Sequence, residues 1–472
     1  MFPSYPISSL NQKTEHFGAS VRKRHQKDFK LAPHKRRKFD AFFAFTILAL
    51  SGWSFCLPVG EEIPFWKQPI QLVYGVFIHE AFFIGYLLFR FFKPNQKLLQ
   101  QPDSFIASAS RTMIILAVWC AIPSLFGSRP FYDVAESARL VLLAILLIII
   151  TQWAVKSPVF VLRAFLIGLV AGALINLTST LSGDTTLIGA LPILLGQNGP
   201  GTSMGIAVCL SAWLALISEW RVDAILAYFA TLACGFGAAI SYSKIGMGAG
   251  ILGFCSMTFV ILFKSKRTGG SFLRRSAIIV CFIILMFFTT GQGAKINQSL
   301  SQIFELKAAS LELTTDISKQ QNYSNSVRTF YYLVVRDIVL KHPFGVGYSG
   351  FLDAMISSDT YRENPINYGG DDEQTENSNP HSTLLYYSSA GGIIAGGLSL
   401  FILLSLCIVI VKGLKTFGLV GVFVGILTGL AFLIPYLTVP TLHNTSLMLV
   451  PSAVAVGCLY HRKNRLNPKA IA

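Results

Sequence analysis

Charged residues are scarce in this sequence. Of its 472 residues only 13% are Asp, Glu, Lys or Arg, whereas 53% are hydrophobic, and the mean hydropathy is +0.56. A soluble domain carries charge at roughly 25% of its positions. The composition therefore argues against a soluble protein of this size and indicates a membrane protein.

The sequence also lacks the cysteine patterns of a disulfide-bonded or zinc-binding protein. Its eight cysteines lie in apolar segments, and no two have the spacing of a metal-binding motif. A cleavable signal peptide is not evident, because the first apolar run begins only at Ala41 and no small-residue cleavage site follows it. We expect this run to be a retained membrane anchor.

Positive charge is in excess, with 39 Lys and Arg against 23 Asp and Glu. In a soluble protein this excess would suggest a nucleic-acid partner. Ten of the basic residues, however, lie between Lys13 and Lys38, directly before the first apolar segment. A basic flank in that position retains the N-terminus in the cytoplasm. We therefore predict the lipid bilayer, and no nucleic acid, as a partner.

Twelve apolar stretches approach the length of about 20 residues that a helix needs to cross the hydrocarbon core. They lie near residues 41–59, 69–92, 105–126, 138–155, 158–178, 201–219, 222–242, 245–263, 273–291, 387–411, 417–438 and 444–460. The turns expected on the cytoplasmic side hold Lys and Arg, as the positive-inside rule requires. The pattern predicts an all-α polytopic membrane protein of about twelve transmembrane helices, in the inner membrane, with both termini cytoplasmic.

One connection in this arrangement is large. The predicted division is a basic tail (1–40), nine transmembrane helices (41–291), a loop (292–386), three further helices (387–460) and a cytoplasmic tail (461–472). From Lys295 to His381 the loop carries seven Lys and Arg and eleven Asp and Glu. This acidic excess, opposite to that of the cytoplasmic turns, agrees with a periplasmic location.

The loop contains a predicted helix that begins near Ser326 and ends at Lys341, because His342-Pro343 stops it. Arg328 and Arg336 lie eight residues apart on this helix, so they are offset by roughly 80° around its axis and can face one region. Two guanidinium groups in such an arrangement predict an anion site.

A glycine-rich run follows this helix, with Gly345, Gly347 and Gly350 in six positions. Such a backbone can turn tightly and come close to a ligand. His381 stands where the chain re-enters the membrane. An imidazole there is placed to act as a base on a ligand whose anionic head lies at the lipid surface.

These motifs together resemble the O-antigen ligase and polymerase superfamily of bacterial surface-polysaccharide assembly. The resemblance rests on Arg328, the run from His342 to Phe351, and His381 ahead of an apolar helix containing Gly391-Gly392. With weaker matches it covers about residues 201–411.

Two of the weaker matches are short. Gln197-Asn198-Gly199-Pro200 is similar to a turn that often precedes a helix in the family. In Ser241-Tyr242-Ser243-Lys244 a lysine stands where family members commonly have arginine. Lys244 keeps the charge but loses bidentate phosphate recognition.

The resemblance implies a fold like that of GT-C glycosyltransferases and an activity that needs no metal, cofactor or nucleotide sugar. The donor would be an undecaprenyl-pyrophosphate-linked oligosaccharide used on the periplasmic side, and the acceptor a glycan or lipid A-core. Arg328 and His381 are the expected catalytic residues. The expected substrate-binding residues are Arg336, Lys244, Arg139, His342, Gly345, Gly347 and Tyr348.

Ligase and polymerase share this donor chemistry, so the motifs leave the two open. A transporter of a glycolipid or small anion is the alternative, since the ionisable pair His79-Glu80 lies inside the second predicted helix and could line a path. These two residues could instead form a buried, hydrogen-bonded structural pair between helices, or have a direct catalytic role. A membrane scaffold without activity is the least favoured reading of the chain.

Overall fold

The computed structural model describes residues 34–55, 78–91, 104–125, 130–181, 198–240, 244–264, 323–363, 380, 382–438 and 442–466. All regular secondary structure in these ranges is helical. The α-helices are α1 (His34–Phe55), α2 (Ile78–Phe91), α3 (Ser104–Ser124), α4 (Pro130–Lys156), α5 (Pro158–Leu181), α6 (Asn198–Ile217), α7 (Arg221–Ile240), α8 (Lys244–Lys264), α9 (Tyr323–Lys341), α10 (Phe351–Ile356), α11 (Asp359–Glu363), α12 (Thr383–Leu414), α13 (Gly418–Thr438) and α14 (Leu442–Leu466). A 3-10 turn, Lys415–Phe417, joins α12 to α13.

Six stretches of the described residues are long and apolar enough, by length and composition, to cross a membrane. They are Ser104–Ser124, Asp133–Lys156, Pro158–Ile175, Arg221–Ala239, Ile245–Phe263 and Thr383–Leu437, the last of which contains both α12 and α13. Shorter apolar helices occupy Asp40–Trp53, Glu80–Phe89, Gly201–Ile217 and Leu447–Arg462. The chain is therefore a multi-pass membrane protein.

Eleven of the twelve predicted segments contain one of these helices, while the segment 273–291 lies outside the described residues. Some boundaries move: α1 begins at His34 rather than Ala41, α12 at Thr383 rather than near residue 387, and α4 at Pro130 rather than near residue 138. Proline suits a first helical position, where its missing N–H would have no partner within the helix. Arg139 consequently lies in the third turn of α4. The count of twelve spans and the GT-C-like arrangement stay predictions.

The helix α12 lies at the centre of the described bundle, in contact with α3, α13 and α14 along its length. Its hydrophobic side chains join one continuous buried core with those of α3, α4, α5 and α6. Elsewhere small residues let helices approach closely, as membrane helices commonly do. A Cβ on Gly205 of α6 would lie 2.9 Å from the Gly250 nitrogen of α8.

The central helix is interrupted two turns after its start. Gly391 has φ −130° and ψ 20°, and Gly392 has φ 72° and ψ −168°, so neither residue is helical. The interruption leaves the carbonyl groups of Ser389 and Ala390 without their helical donors. The chain between α9 and α10 fills this gap: the Val346 N–H donates to Ser389 O (2.9 Å) and the Gly347 N–H to Ala390 O (3.0 Å).

The three helices that flank this chain segment form a small subdomain with its own core. Apolar side chains of α9, α10 and α12 meet in it: Phe330, Tyr331, Val334, Val335, Ile338, Phe351, Ala354, Met355 and Leu385. The predicted loop helix is confirmed, because α9 ends at Lys341, directly before His342-Pro343. Leu385 belongs to α12, so this core joins α9 to the first turn of the central helix.

Replacing Gly392 by Ala tests the interruption. An added Cβ at its positive φ would be strained and would collide with the Pro343 carbonyl oxygen, so we expect little folded protein in the membrane. Gly397 lies on the same helix and has no neighbour within 4 Å of an added Cβ. Gly397→Ala is therefore the control, with an unchanged or slightly raised melting temperature in detergent. Equal melting temperatures for the two variants would contradict a structural role for the interruption.

Candidate functional site

The glycine loop, residues 342–350, is fixed to three helices at once. Its contact with α12 is through the backbone bonds to Ser389 and Ala390. Its contact with α4 is through Asp133, which accepts hydrogen bonds from the Ser349 N–H (2.9 Å) and the Ser349 hydroxyl (3.0 Å). Trp119 of α3 donates from its ring nitrogen to the Gly391 carbonyl (2.8 Å), and its ring lies 6.2 Å from that of Phe344.

The two glycines predicted to bind substrate have positive φ, 85° at Gly345 and 80° at Gly347. Other residues rarely adopt this conformation, which explains glycine at both positions. A Cβ on Gly347 would lie 2.8 Å from the Asp133 carboxylate, and one on Gly345 would collide with the Ala390 carbonyl. The close approach that these glycines allow is therefore to α4 and α12.

The N–H groups of the glycine loop are largely taken up by protein oxygens. Gly345 donates to His342 O (2.9 Å), and Val346, Gly347 and Ser349 donate to α12 and α4. Backbone N–H groups are what a glycine-rich phosphate loop normally presents to its ligand. The loop is thus built as a structural joint, and a role of Gly345 and Gly347 in binding substrate stays a prediction.

Tyr348, also predicted to bind substrate, is buried beneath the loop, with its ring 5.4 Å from that of Tyr386. Burial, together with the nearby Cys120 thiol, raises the pKa of the Tyr348 phenol well above its ordinary value. The phenol therefore stays neutral at physiological pH.

His342, another predicted binding residue, is exposed at the end of α9. Its backbone N–H donates to Ile338 O (2.6 Å).

Arg336 projects from α9 with 61% of its side chain exposed and pairs with the neighbouring Asp337 at 3.0 Å. Asp337 also accepts hydrogen bonds from the Thr360 N–H (3.0 Å) and hydroxyl (2.5 Å), which ties α11 to α9. Burial alone would raise the pKa of the Asp337 carboxyl, but the bonds from Thr360 and Arg336 together hold it below its ordinary value.

Arg139 lies in a buried charge cluster between two helices. Its Nε is 2.7 Å from Glu80 Oε1 of α2, and its Nη1 is 3.8 Å from Glu136 Oε1. Glu136 Oε2 is buried and has no hydrogen-bond partner among the described residues. One guanidinium thus stands between two carboxylates. The position of Glu80 agrees with the buried, paired interpretation, while the side chain of His79 lies outside the described residues.

The side chains of the two predicted catalytic residues are not described. Arg328 belongs to the backbone of α9, and Lys244 is the first residue of α8, but their side chains lie outside the described part of the chain. His381 lies between the described residues Pro380 and Ser382 and is itself outside them.

Described neighbours of Arg328 and His381 meet at one place, the end of α13. Tyr332, one turn after Arg328 on α9, donates from its hydroxyl to Leu437 O (3.3 Å). The hydroxyl of Ser382, the residue after His381, donates to Tyr436 O (3.5 Å) and caps α12 by accepting from the Leu385 N–H (3.4 Å). The segments that carry the two residues therefore converge on adjacent carbonyls.

A small cavity of about 10 Å³ lies within the bundle beside Tyr436. Its polar lining consists of Tyr387, Ser399 and Tyr436, and the rest is apolar: Leu116, Leu140, Ile402, Leu403, Leu406 and Met448. The Tyr387 hydroxyl is buried and without a hydrogen-bond partner in the described residues. Helices α3, α4, α12, α13 and α14 all contribute to the lining.

The O-antigen ligase family model matches residues 185–400. This stretch is therefore similar to an O-antigen ligase domain, and it is called the O-antigen ligase domain below. The match confirms the resemblance seen in the sequence, and it supports a membrane enzyme of the ligase and polymerase type. No curated protein sequence matches the chain significantly. The O-antigen ligase domain includes α6 to α11 and the first part of α12, but not α3 or α4.

Sequence reasoning missed the residues that hold the glycine loop. Asp133 and Trp119 were given no role. Their partners lie far away along the chain, 216 residues in the case of Asp133 and Ser349. The sequence signal for Asp133 was a carboxylate at the start of an apolar segment. This signal does not indicate which residue the carboxylate binds.

Glu80→Gln and Glu136→Gln have opposite expected effects. Glu80→Gln removes the carboxylate that is closest to the Arg139 guanidinium. We therefore expect the free energy of unfolding to fall by about 3 kcal/mol. Removing the Glu136 charge eliminates an excess negative charge that has no full partner, so the stability should stay equal or rise. Thermal unfolding in detergent measures both. A larger loss for Glu136→Gln than for Glu80→Gln would contradict the assignment of partners.

The subdomain of α9–α11 should lose stability in acid. The folded pKa of Asp337 is lowered, so its contribution is complete above the ordinary carboxyl pKa of about 3.9 and is lost as the pH falls through the folded value. Hydrogen exchange of α9 and α11 against pH measures this. Asp337→Asn should reduce protection at neutral pH and flatten the acid dependence; an unchanged acid profile would show that other groups cause it.

Proposed function

We propose that the protein is a membrane glycosyltransferase that transfers or polymerises an undecaprenyl-pyrophosphate-linked oligosaccharide on the periplasmic side. The family domain supports the general activity. The donor, the side of the membrane and independence from metal are inferences from the resemblance and from the charge pattern of the sequence. The acceptor would be a glycan in a polymerase and lipid A-core in a ligase.

One observation carries the assignment of the site. The segments that bear Arg328 and His381 are held together by the core shared between Phe330 and Leu385 and by the hydrogen bonds of Tyr332 and Ser382 to the end of α13. Arginine and histidine in one neighbourhood match the two requirements of the transfer. A pyrophosphate leaving group needs positive charge, and an acceptor hydroxyl needs a base.

In the proposed reaction the acceptor oxygen attacks the anomeric carbon of the donor. The bond from that carbon to the pyrophosphate oxygen breaks, and its electron pair remains on the undecaprenyl pyrophosphate, where Arg328 stabilises the charge. His381 accepts the proton of the acceptor hydroxyl. Direct displacement of this kind inverts the anomeric configuration and forms no sugar–enzyme bond.

The other predicted binding residues differ in what they can contribute. Arg336 is exposed but paired with Asp337, and Arg139 is paired with Glu80. Either guanidinium would have to exchange or share its carboxylate partner to bind pyrophosphate. Lys244 would add a third positive charge. The transporter alternative gains no support from the described structure, since Glu80 is engaged by Arg139.

The test is a transfer assay with purified protein in proteoliposomes, a lipid-linked oligosaccharide as donor and a lipid A-core or glycan acceptor. We expect His381→Ala and Arg328→Ala each to reduce turnover by roughly 100-fold or more. Arg362→Ala, an exposed arginine on α11, is the matched control and should retain wild-type turnover.

Deletion of the gene gives the complementary result. Accumulated lipid-linked glycan, with surface polymer restored by wild type and not by His381→Ala, would support the proposal. Absence of polymerised chains separates a polymerase from a ligase, in which polymerised glycan would remain on its lipid carrier. No transfer in vitro together with unchanged glycans in the deletion strain would contradict the proposed function.

A further inference from the structure

Asp133 is a fully buried carboxylate with an unusual set of partners. It lies in the first turn of α4, and both of its oxygens accept hydrogen bonds from Ser349 of the glycine loop. In the described part of the chain no lysine or arginine forms an ion pair with it. A buried charge without a counter-charge is costly, so a purely structural contact would be served as well by a neutral side chain.

Asp223 provides an internal comparison. It too is fully buried, lies in the first turn of its helix and accepts a hydrogen bond from a serine, Ser218. Its charge, however, is matched by Arg163, whose Nε and Nη2 donate to the two carboxylate oxygens at 2.6 and 2.9 Å. Asp223 thus joins α5 to α7 as a neutralised structural pair, whereas no Lys or Arg among the described residues forms an ion pair with Asp133 at the glycine loop.

The charge of Asp133 has a mechanical use. A carboxylate accepts hydrogen bonds more strongly than a neutral group, and its two oxygens hold the N–H and the hydroxyl of Ser349 together. Gly347 packs directly against the same carboxylate. The loop is thereby pressed between α4 on one side and the interruption of α12 on the other.

The position of this loop sets the geometry of the proposed site. The loop continues directly from α9, which carries Arg328, and it is bonded to α12, whose first turn follows His381. A shift of the loop would therefore move α9 relative to the first turn of α12. A misplacement of about 1 Å between reacting groups can cost roughly 100-fold in rate.

We propose that Asp133 is a positioning residue of the transferase site, supplied by α4 from outside the O-antigen ligase domain. It holds the glycine loop, and through this loop it fixes α9 against the first turn of α12, the two segments next to the proposed reacting groups. The inference rests on the proposed function. It predicts that loss of the Asp133–Ser349 contact lowers turnover without weakening donor binding.

The experiment compares Asp133→Ala, Ser349→Ala and the double variant in the proteoliposome assay. We expect Asp133→Ala to lower kcat by about 10- to 100-fold while the donor KM changes less than about twofold. Ser349→Ala should lower kcat by a smaller factor. The double variant should be no worse than Asp133→Ala, because the two residues act through one contact.

Asp223→Asn is the matched control, since it removes a charge of the same burial and helix position that has no part in the glycine loop. It should lower the melting temperature and the yield, yet leave kcat per folded molecule unchanged. If Asp133→Ala does not accumulate, Asp133→Asn takes its place, because the amide oxygen can still accept from the Ser349 N–H.

The outcomes separate the inference from the function on which it rests. No transfer by wild type would overturn the proposed function, whatever Asp133 does. Transfer by wild type that depends on His381, combined with normal kcat in the folded Asp133 variant, would overturn the positioning role alone. Multiplied losses in the double variant, or a raised donor KM with normal kcat, would also overturn it.

Discussion

The arrangement of the described site depends on two carbonyl groups that the central helix does not use itself. A continuous α12 would satisfy Ser389 O and Ala390 O with its own N–H groups and would present a closed surface. The non-helical residues Gly391 and Gly392 release these acceptors, and the N–H groups of Val346 and Gly347 take them. These backbone hydrogen bonds join the glycine loop to α12 in the way that neighbouring strands of a β-sheet are joined.

This joint determines what surrounds it. Because the glycine loop is bound to α12, α9 is drawn against the first turn of the same helix, and Phe330 and Leu385 share a core. Tyr332 and Ser382 then both reach the end of α13. Arg328 and His381, separated by more than fifty positions, belong to segments that this packing brings together. Irregular backbone inside a helix bundle is tolerated where its polar groups find hydrogen-bond partners in the protein, as the Ser389 and Ala390 carbonyls do here.

The sequence was sufficient for features that depend on local chemistry. The apolar runs predicted helices in eleven described places, the His342-Pro343 pair predicted the end of α9, and the glycine run predicted a tight turn. It was insufficient where a contact joins distant segments. The turn was interpreted as a surface for ligand, yet its N–H groups are bonded to α12 and α4. No periodicity or local spacing reveals that Ser349 will meet Asp133.

The sequence named Arg139 as a candidate binding residue but gave no indication of its ion-pair partner. Arg139 was predicted to lie at the start of its helix, near residue 138, and to bind the donor. The helix begins at Pro130, which places Arg139 deeper and beside Glu80 of another helix. The helix itself was predicted correctly. An error of about two turns in its start nevertheless changes the expected surroundings of Arg139 from the helix end to a contact with another helix.

The limits of the O-antigen ligase domain and those of the structural site do not coincide. Residues 185–400 contain the glycine loop and the interrupted part of α12, but the side chains that press the loop into place, Asp133 and Trp119, precede them. A conserved reaction can keep its reacting groups in one segment while neighbouring helices fix their distance, because orientation contributes as much to rate as chemical identity does. The helices before the O-antigen ligase domain are thus part of the same physical unit, because Asp133 bonds to Ser349 and Trp119 to Gly391.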